Sequence, residues 1–518
     1  MKRNILFLLT SVFICLVVAC YDDKGSYDYE DVNEIGVDSL GTSHSVIFKK
    51  DTLKINPKLT FTQDSLTLDR YDYEWVAVPG ASGSEDATRK VIGTERNLKY
   101  FVELEPATYS LYLKVRDKQT GLLWMNYTTL VVRTEVGLGW LLIGEDAEGY
   151  ANVDMIAMPN DTIVINNLLS NNGLPRLKGP RSIMYTGSPY MTSLAPYEKL
   201  WVATEDRSYY VNTSTFEGEM SNVFESMVYS YLDLPEQLNP VHLISQRAGG
   251  TMNSSRAVAC AEGHVFYISS LLSGGDYANP LNRTADAPEV LFRTYPYIFA
   301  SLGYVSGGVL YDVDNNRFVR YTSFASNSTA LLDNNNDVFP WIQPEGRTLV
   351  YGENTMDTEG GSRGNSFALM KDAGTGTYFI YKFYAYGSSV QKRAGYEIKS
   401  SLATDIDKAE FFAFASNRSL LLYVVGKTLY AYDYKSGYEK LYSMNLDDEV
   451  TMIKFDVKSG TGDYNDLYVA TYNSATGGTL QKYVLGTDQN KFELKPDERC
   501  CWSGLVKVKD MEWKNSAQ

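Results

Sequence analysis

The feature that most constrains this chain is a recurring strand–turn–strand unit in its last three-quarters. "LLLYVVGKTLYAYDYKSGYEKLYSM" (420–444) reads as a strand, a Gly-Lys turn, a strand, a Lys-Ser-Gly turn and a strand, and "DLYVATYNSATGGTLQKYVLG" (466–486) repeats the pattern with a longer hairpin. Further copies are "GWLLIGEDAEGYANVDMIAM" (139–158), "KLWVATEDRSYYVNTSTF" (199–216), "RAVACAEGHVFYISS" (256–270), "GGVLYDVDNNRFVRYTSF" (307–324) and "TLVYGENTMDTEGGSRGNSFALMKD" (348–372). Each is an apolar strand, a Gly/Asp/Asn/Ser hairpin and a second strand, which is the signature of a β-hairpin. Spaced by roughly 40–70 residues, such units suit the blades of a β-propeller. The expectation is an all-β domain over 136–518 with about seven blades. "YFIYKFYAYG" (378–387) reads as a strand buried on both faces.

The N-terminal quarter reads differently. In "LKYFVELEPATYSLYLKVRDKQTGLLWMNYTTLVVR" (98–133), Tyr109, Leu111, Leu113 and Val115 alternate with Ser110, Tyr112, Lys114 and Arg116. Period two marks a half-buried strand. With "YDYEWVAV" (71–78) centred on Trp75, this predicts an immunoglobulin-like sandwich over 34–134. Tyr73-Glu74-Trp75, "ATYSLYLKVRD" and "TGL" resemble the core strands of PKD-type domains, although Ala107-Thr108 stands where those domains usually carry glycine.

Upstream, Lys2 and Arg3 precede an apolar run from Ile5 to Val18, too short to span a bilayer and laid out as a secretory signal. Val17-Val18-Ala19-Cys20 resembles a bacterial lipobox, which predicts a signal peptide over 1–19 and lipidation of Cys20. The alternative is an ordinary signal peptide with an incidental cysteine. Tyr21-Asp22-Asp23 resembles the surface-export signal of Bacteroides-type lipoproteins, and residues 20–33 read as an acidic tether. Lipobox, tether and sandwich together are similar to the PKD-like family lipoproteins of Bacteroides-type bacteria.

Charge and cysteine content narrow the function classes. With 48 basic against 63 acidic side chains the net charge is −15, which repels nucleic acid. Once Cys15 and Cys20 are set aside, Cys260, Cys500 and Cys501 remain, an odd number with an adjacent pair that cannot bridge easily. They are expected to be buried free thiols, with a bridge from Cys260 to one of the pair as the alternative if the last segment packs beside it, and no zinc spacing or disulfide framework is present.

No catalytic motif stands out. His44, His242 and His264 lie in no metal spacing, and no G-x-S-x-G occurs. "DVDNN" (312–316) imitates a calcium loop, but Arg317 replaces the required glycine and Ser323 stands at the twelfth place. A hairpin turn explains it better, and "GTGTYF" (374–379) is likewise a hairpin. No enzyme activity, cofactor or metal is expected. One amphipathic helix is predicted over 217–234 from Met220, Val223, Phe224, Met227 and Val228. The irregular connection 271–304 is a candidate binding segment. Its Tyr277, Tyr295, Tyr297 and Tyr304, beside Arg293, suit a ligand platform, because tyrosine combines a flat apolar face with a polar tip.

The resemblance implies a neighbourhood as well as a fold. Such lipoproteins are commonly encoded beside SusC/SusD-like transporter pairs. The expectation is therefore a lipid-anchored protein on the outer face of the outer membrane, serving as an accessory glycan- or peptide-binding component of a nutrient importer. A structural or adhesive surface protein and a divergent hydrolase are the alternatives.

Overall fold

The computed structural model describes residues 33–63, 68–80, 89–159, 161–186, 199–244, 255–269, 276–303, 307–322, 326–360, 363–386, 389–460 and 464–515. The signal segment, most of the tether and Cys20 lie outside these.

Strands within residues 35–133 form an immunoglobulin-like sandwich. Its main sheet runs in the order Ser43–Ile47, Leu123–Arg133, Ala107–Asp117, Tyr71–Pro79, Lys90–Gly93. Two short hairpin-like sheets, Ile35–Asp38 with Lys58–Phe61 and Thr52–Ile55 with Leu98–Phe101, cover its inner face. Alternation decides which side faces in. Tyr73, Trp75 and Ala77 stand opposite Val115, Leu113 and Leu111, and these six fill the space between the sheets. Trp75 is fully buried, and its indole N–H donates to the Glu95 carbonyl at 2.9 Å, so no polar atom is stranded there.

Residues 138–515 form a seven-bladed propeller. Each of the seven predicted units supplies one blade. Blade 1 combines Leu138–Glu145, Ala151–Ala157 and Ile163–Ile165 with the C-terminal strand Lys507–Asn515, which pairs as the innermost strand. The last strand therefore closes the ring. Among the described residues, blades 2 to 4 have three strands each and blades 5 to 7 have four. The innermost strands of blades 2, 3, 5, 6 and 7 are Pro180–Tyr185, Pro240–Ile244, Arg347–Asn354, Phe411–Phe414 and Glu449–Phe455. Residues 378–387 behave as expected over Tyr378–Tyr384, a strand largely buried on both faces.

Three local expectations fail. The helix over 217–234 is absent, and only a single 3-10 turn, Phe224–Met227, forms. Phe224 is driven into the core between Trp201, Phe266 and Tyr277. The backbone groups that a helix would pair internally are used elsewhere. The Asn222 carbonyl accepts from the Tyr210 amide, the Met227 carbonyl from Tyr277, and Tyr229 donates to the Tyr277 carbonyl. Tertiary pairing thus overrides the helical period.

The connection 271–304 also holds the missing inner edge of blade 4. Thr294 bridges to Asp312 and Phe299 to Val309, antiparallel to the strand Gly308–Asp312. Pro296 lies between them and has no N–H to extend the ladder, so the edge reads as loop.

Of the thiols, Cys260 is buried as expected, Cys500 is half-buried and Cys501 is exposed; all three are free. The exposure of Cys501 corrects the expectation and follows from strand alternation along Leu494–Leu505.

Candidate functional site

The innermost strands of all seven blades, with the Thr294–Phe299 edge serving for blade 4, surround a central channel of about 680 Å³. Ligand pockets typically span about 300–1,000 Å³. A second cavity of about 570 Å³ lies at blade 1 near Asp146 and Arg176. Its arginine is already held by Asp146 and Glu148.

Aromatic rings wall the channel at Tyr295, Tyr297, Tyr351, Phe411 and Phe412. Tyr295 and Tyr297 flank a bend at Pro296, where the Tyr297 amide donates to the Tyr295 carbonyl at 2.7 Å, and both line the channel. The Tyr295 hydroxyl donates to the Val350 carbonyl at 2.8 Å, and the Tyr297 hydroxyl accepts from the Asn354 amide at 2.8 Å. This ties the Pro296 edge to blade 5. Gly352 makes the approach possible: a Cβ there would lie 2.7 Å from the Tyr297 ring and 2.8 Å from that of Phe299.

Charged side chains interrupt the apolar inner strands. Lys454 of blade 7 pairs with Asp510 of the closing strand at 2.8 Å and also donates to the Met511 carbonyl at 2.7 Å. The other Asp510 oxygen accepts from the Ile183 amide at 3.2 Å, linking blades 1, 2 and 7. Lys458 pairs with Glu512 at 3.3 Å. Burial works against the charge on Lys454, but Asp510, Glu512 and Glu353 outweigh it and hold its pKa above the ordinary value.

Glu353 and His242 are both shifted toward neutrality. Burial pushes Glu353 up to about 8, against the opposing hydrogen bonds from the Phe414 amide and the Tyr351 hydroxyl and the charge of Lys454. Burial, reinforced by the ammonium groups of Lys458 and Lys454, pushes His242 down to about 3, so its ring is uncharged. That ring lies 4.1 Å from the Tyr297 ring.

A carboxyl whose folded pKa exceeds its unfolded one holds an extra proton in the folded state. The stability Glu353 contributes is fully present below pH 4.5 and is lost as pH rises through about 8. Glu353→Gln keeps the shape and removes the titration. Wild type is expected to lose on the order of 2 kcal/mol relative to this variant between about pH 5 and 7. Urea melts of both proteins across that range check it, and parallel profiles would place the carboxyl in a water-like environment.

The sequence-predicted site residues do not gather at one place. Tyr295 and Tyr297 face the channel. Tyr277 is buried between Phe224 and Phe266. Arg293 is exposed and pairs with Asp314 at 2.7 Å, on the "DVDNN" hairpin. In that hairpin Asp312 accepts from the Asn315 amide at 3.0 Å and pairs with Arg317 at 3.0 Å, which is turn chemistry. Tyr304 lies outside the described residues. Sequence reading missed His242, Tyr351, Glu353, Lys454, Asp510 and Glu512. Their shared signal is a polar or charged residue inside the innermost strand of a blade, as in "TMIKF" and "KDMEW". Among the described residues, no group of three or more His, Cys, Asp or Glu side chains is placed to hold a metal ion.

Residues 20–178 match the PKD-like family, a span covering the sandwich and running into blade 1. No curated protein matches the chain. Solved structures with a similar fold include a quinonprotein alcohol dehydrogenase-like protein from Bacteroides thetaiotaomicron (13% identity, 94% of this chain and 100% of that one, TM-score 0.33). Another is a protein described as a 6-phosphogluconolactonase candidate from Bacteroides uniformis (10% identity, 73% and 99%, TM-score 0.41). A third is YCF48 from Cyanidioschyzon merolae (9% identity, 64% and 95%, TM-score 0.31). These likenesses concern the fold and bear on no chemistry.

Proposed function

We propose that this chain is a lipid-anchored surface protein of the outer membrane that captures a small polar ligand in its propeller channel for a SusC/SusD-like importer. The observation that carries the capture reading is the channel itself. Seven blades converge on about 680 Å³ walled by tyrosine and phenylalanine rings and a few paired charges. Such a mixture of apolar wall and sparse polar groups is what small-molecule sites use. The lipobox-like Val17-Val18-Ala19-Cys20 supports the anchoring, and the acidic Tyr21-Asp22-Asp23 that follows it supports the surface role.

One surface feature supports a docking partner. The outer face of the sandwich leaves Leu123, Met125 and Tyr127 exposed at 48%, 56% and 67%, in a row along one strand. Tyr127 packs beside Tyr112 of the neighbouring strand, with ring centroids 5.7 Å apart. Contiguous exposed apolar side chains mark interaction surfaces, and this one suits a wall of the transporter.

The test is a pull-down of the C-terminally tagged protein from outer membranes in mild detergent. A transporter and its lid lipoprotein are expected to co-elute in stoichiometric amounts, and Cys20→Ser is expected to move the protein to the soluble fraction. Elution alone would overturn the importer-subunit reading, and unchanged membrane association of the Cys20 variant would overturn the lipid anchor.

A further inference from the structure

The channel's charges are balanced before any ligand arrives. Its lining includes three lysines, Lys454, Lys458 and Lys509, and four acids, Glu353, Glu410, Asp510 and Glu512. Every one of those lysines already faces a carboxylate. Lys454 meets Asp510 at 2.8 Å, Lys458 meets Glu512 at 3.3 Å, and Lys509 meets Glu145 at 3.9 Å. An anionic ligand would find no cation left to neutralise it and would approach several carboxylates, an arrangement that repels it.

The donors that remain point to ligand oxygen. An ammonium carries three N–H groups. Lys454 directs two of them to Asp510 and the Met511 carbonyl, and its side chain is 35% exposed where it lines the channel. Its third N–H is therefore available to an acceptor in the channel. The rings of Tyr295, Tyr351 and Phe411 offer apolar surface on the same wall system. A molecule that matches both has C–H faces for stacking, oxygen acceptors at its edges and no net charge.

We propose that the channel takes a neutral oligosaccharide, stacked on its tyrosine and phenylalanine rings and receiving a hydrogen bond from Lys454 at a hydroxyl or glycosidic oxygen. A length of roughly two to three sugar rings suits a cavity of this size. This rests on the channel being the capture site of the proposed function, but its failure is separable. If the protein co-purifies with a transporter and binds no neutral sugar, the ligand class falls and the importer role stands. If it elutes alone yet binds a neutral disaccharide, the reverse holds.

The experiment is titration calorimetry on the full soluble chain, begun after residue 20, with four neutral disaccharides (maltose, cellobiose, xylobiose and chitobiose). Glucose 6-phosphate, digalacturonate and tetra-alanine are titrated beside them. At least one neutral disaccharide is expected to bind, with an affinity that changes less than about twofold between low and high salt, because no net charge is neutralised. Lys454→Met is expected to weaken that binding about tenfold, the loss of one hydrogen bond from a charged donor. Because that variant bares Asp510 and is less stable, the comparison of neutral with charged probes on the wild-type protein decides the case independently. Tighter binding of the phosphate or uronate with a steep salt dependence would overturn the proposal. Binding of tetra-alanine alone, or of none of the neutral sugars up to about 10 mM, would do the same.

Discussion

Deleting the last strand, residues 507–515, is expected to abolish cooperative folding of the propeller. This strand is the inner edge of blade 1, and it pairs with Leu138–Glu145 from the other end of the domain, with Trp140 opposite Trp513 and Leu142 opposite Met511. Val508 and Met511 are fully or almost fully buried, and Trp513 packs edge-on to Trp140 with centroids 4.9 Å apart. Each large apolar side chain returned to water costs about 1.5–3 kcal/mol, and Leu142 and its neighbours on the facing strand would be uncovered as well. Those losses are comparable with the whole stability of an ordinary domain, about 5–15 kcal/mol. The strand also carries Asp510 and Glu512, so its removal strips Lys454 and Lys458 of their partners. Circular-dichroism melts and limited proteolysis check the outcome. The truncated chain is expected to lose its main thermal transition and to be cut throughout 138–506, whereas a melting point within a few degrees of wild type would show that ring closure contributes little.

The elements that were legible in the sequence are those whose signal is local. Period-two alternation in 107–117 and the Gly-, Asn- and Asp-rich hairpins of the seven units depend on neighbours in the chain, and strands and turns form where they predict. Where a tertiary partner competes, the local signal misleads. The apolar spacing of 217–234 fits a helix, yet Phe224 and the backbone around it are taken up by Tyr277 and Tyr210. Pro296 hides the inner edge of blade 4 for a different reason, since it bends the segment between its two bridges and offers no N–H to the ladder. The channel was hardly legible at all. Lys454 and Asp510 are 56 residues apart, and the Asp510 contact to Ile183 spans 327. Only closure of the ring brings them together, and nothing in the spacing of either residue announces the other. The aromatic clustering that singles out Tyr295 and Tyr297, which line the channel, singles out Tyr277 equally, which packs in the core.

Asp510→Ala is expected to destabilise the propeller by about 2–3 kcal/mol. Removing one partner of a buried ion pair costs about 3–5 kcal/mol because the other charge is left uncompensated. The lower figure allows for the 35% exposure of the Lys454 side chain, which lets solvent screen part of its charge. The substitution also strands the Ile183 amide, whose acceptor is the second Asp510 oxygen. Asp510→Asn can keep that acceptor but turns a donor NH2 toward the Lys454 ammonium, so it loses the charge and the Lys454 hydrogen bond together while sparing the Ile183 bond, and it is expected to fall between the alanine variant and wild type. The pH dependence separates the two causes. The pKa of Lys454 is held above its ordinary value of 10.5, so the stability from its pairing is complete below that pH and is lost as pH rises through the folded value. Urea melts at about pH 7 and again above pH 10.5 are the measurement. The gap between Asp510→Ala and wild type is expected to narrow on the alkaline side as the lysine loses its proton. A gap that stays constant would assign the cost to the Ile183 hydrogen bond and remove the ion pair from the account of what holds blades 1, 2 and 7 together.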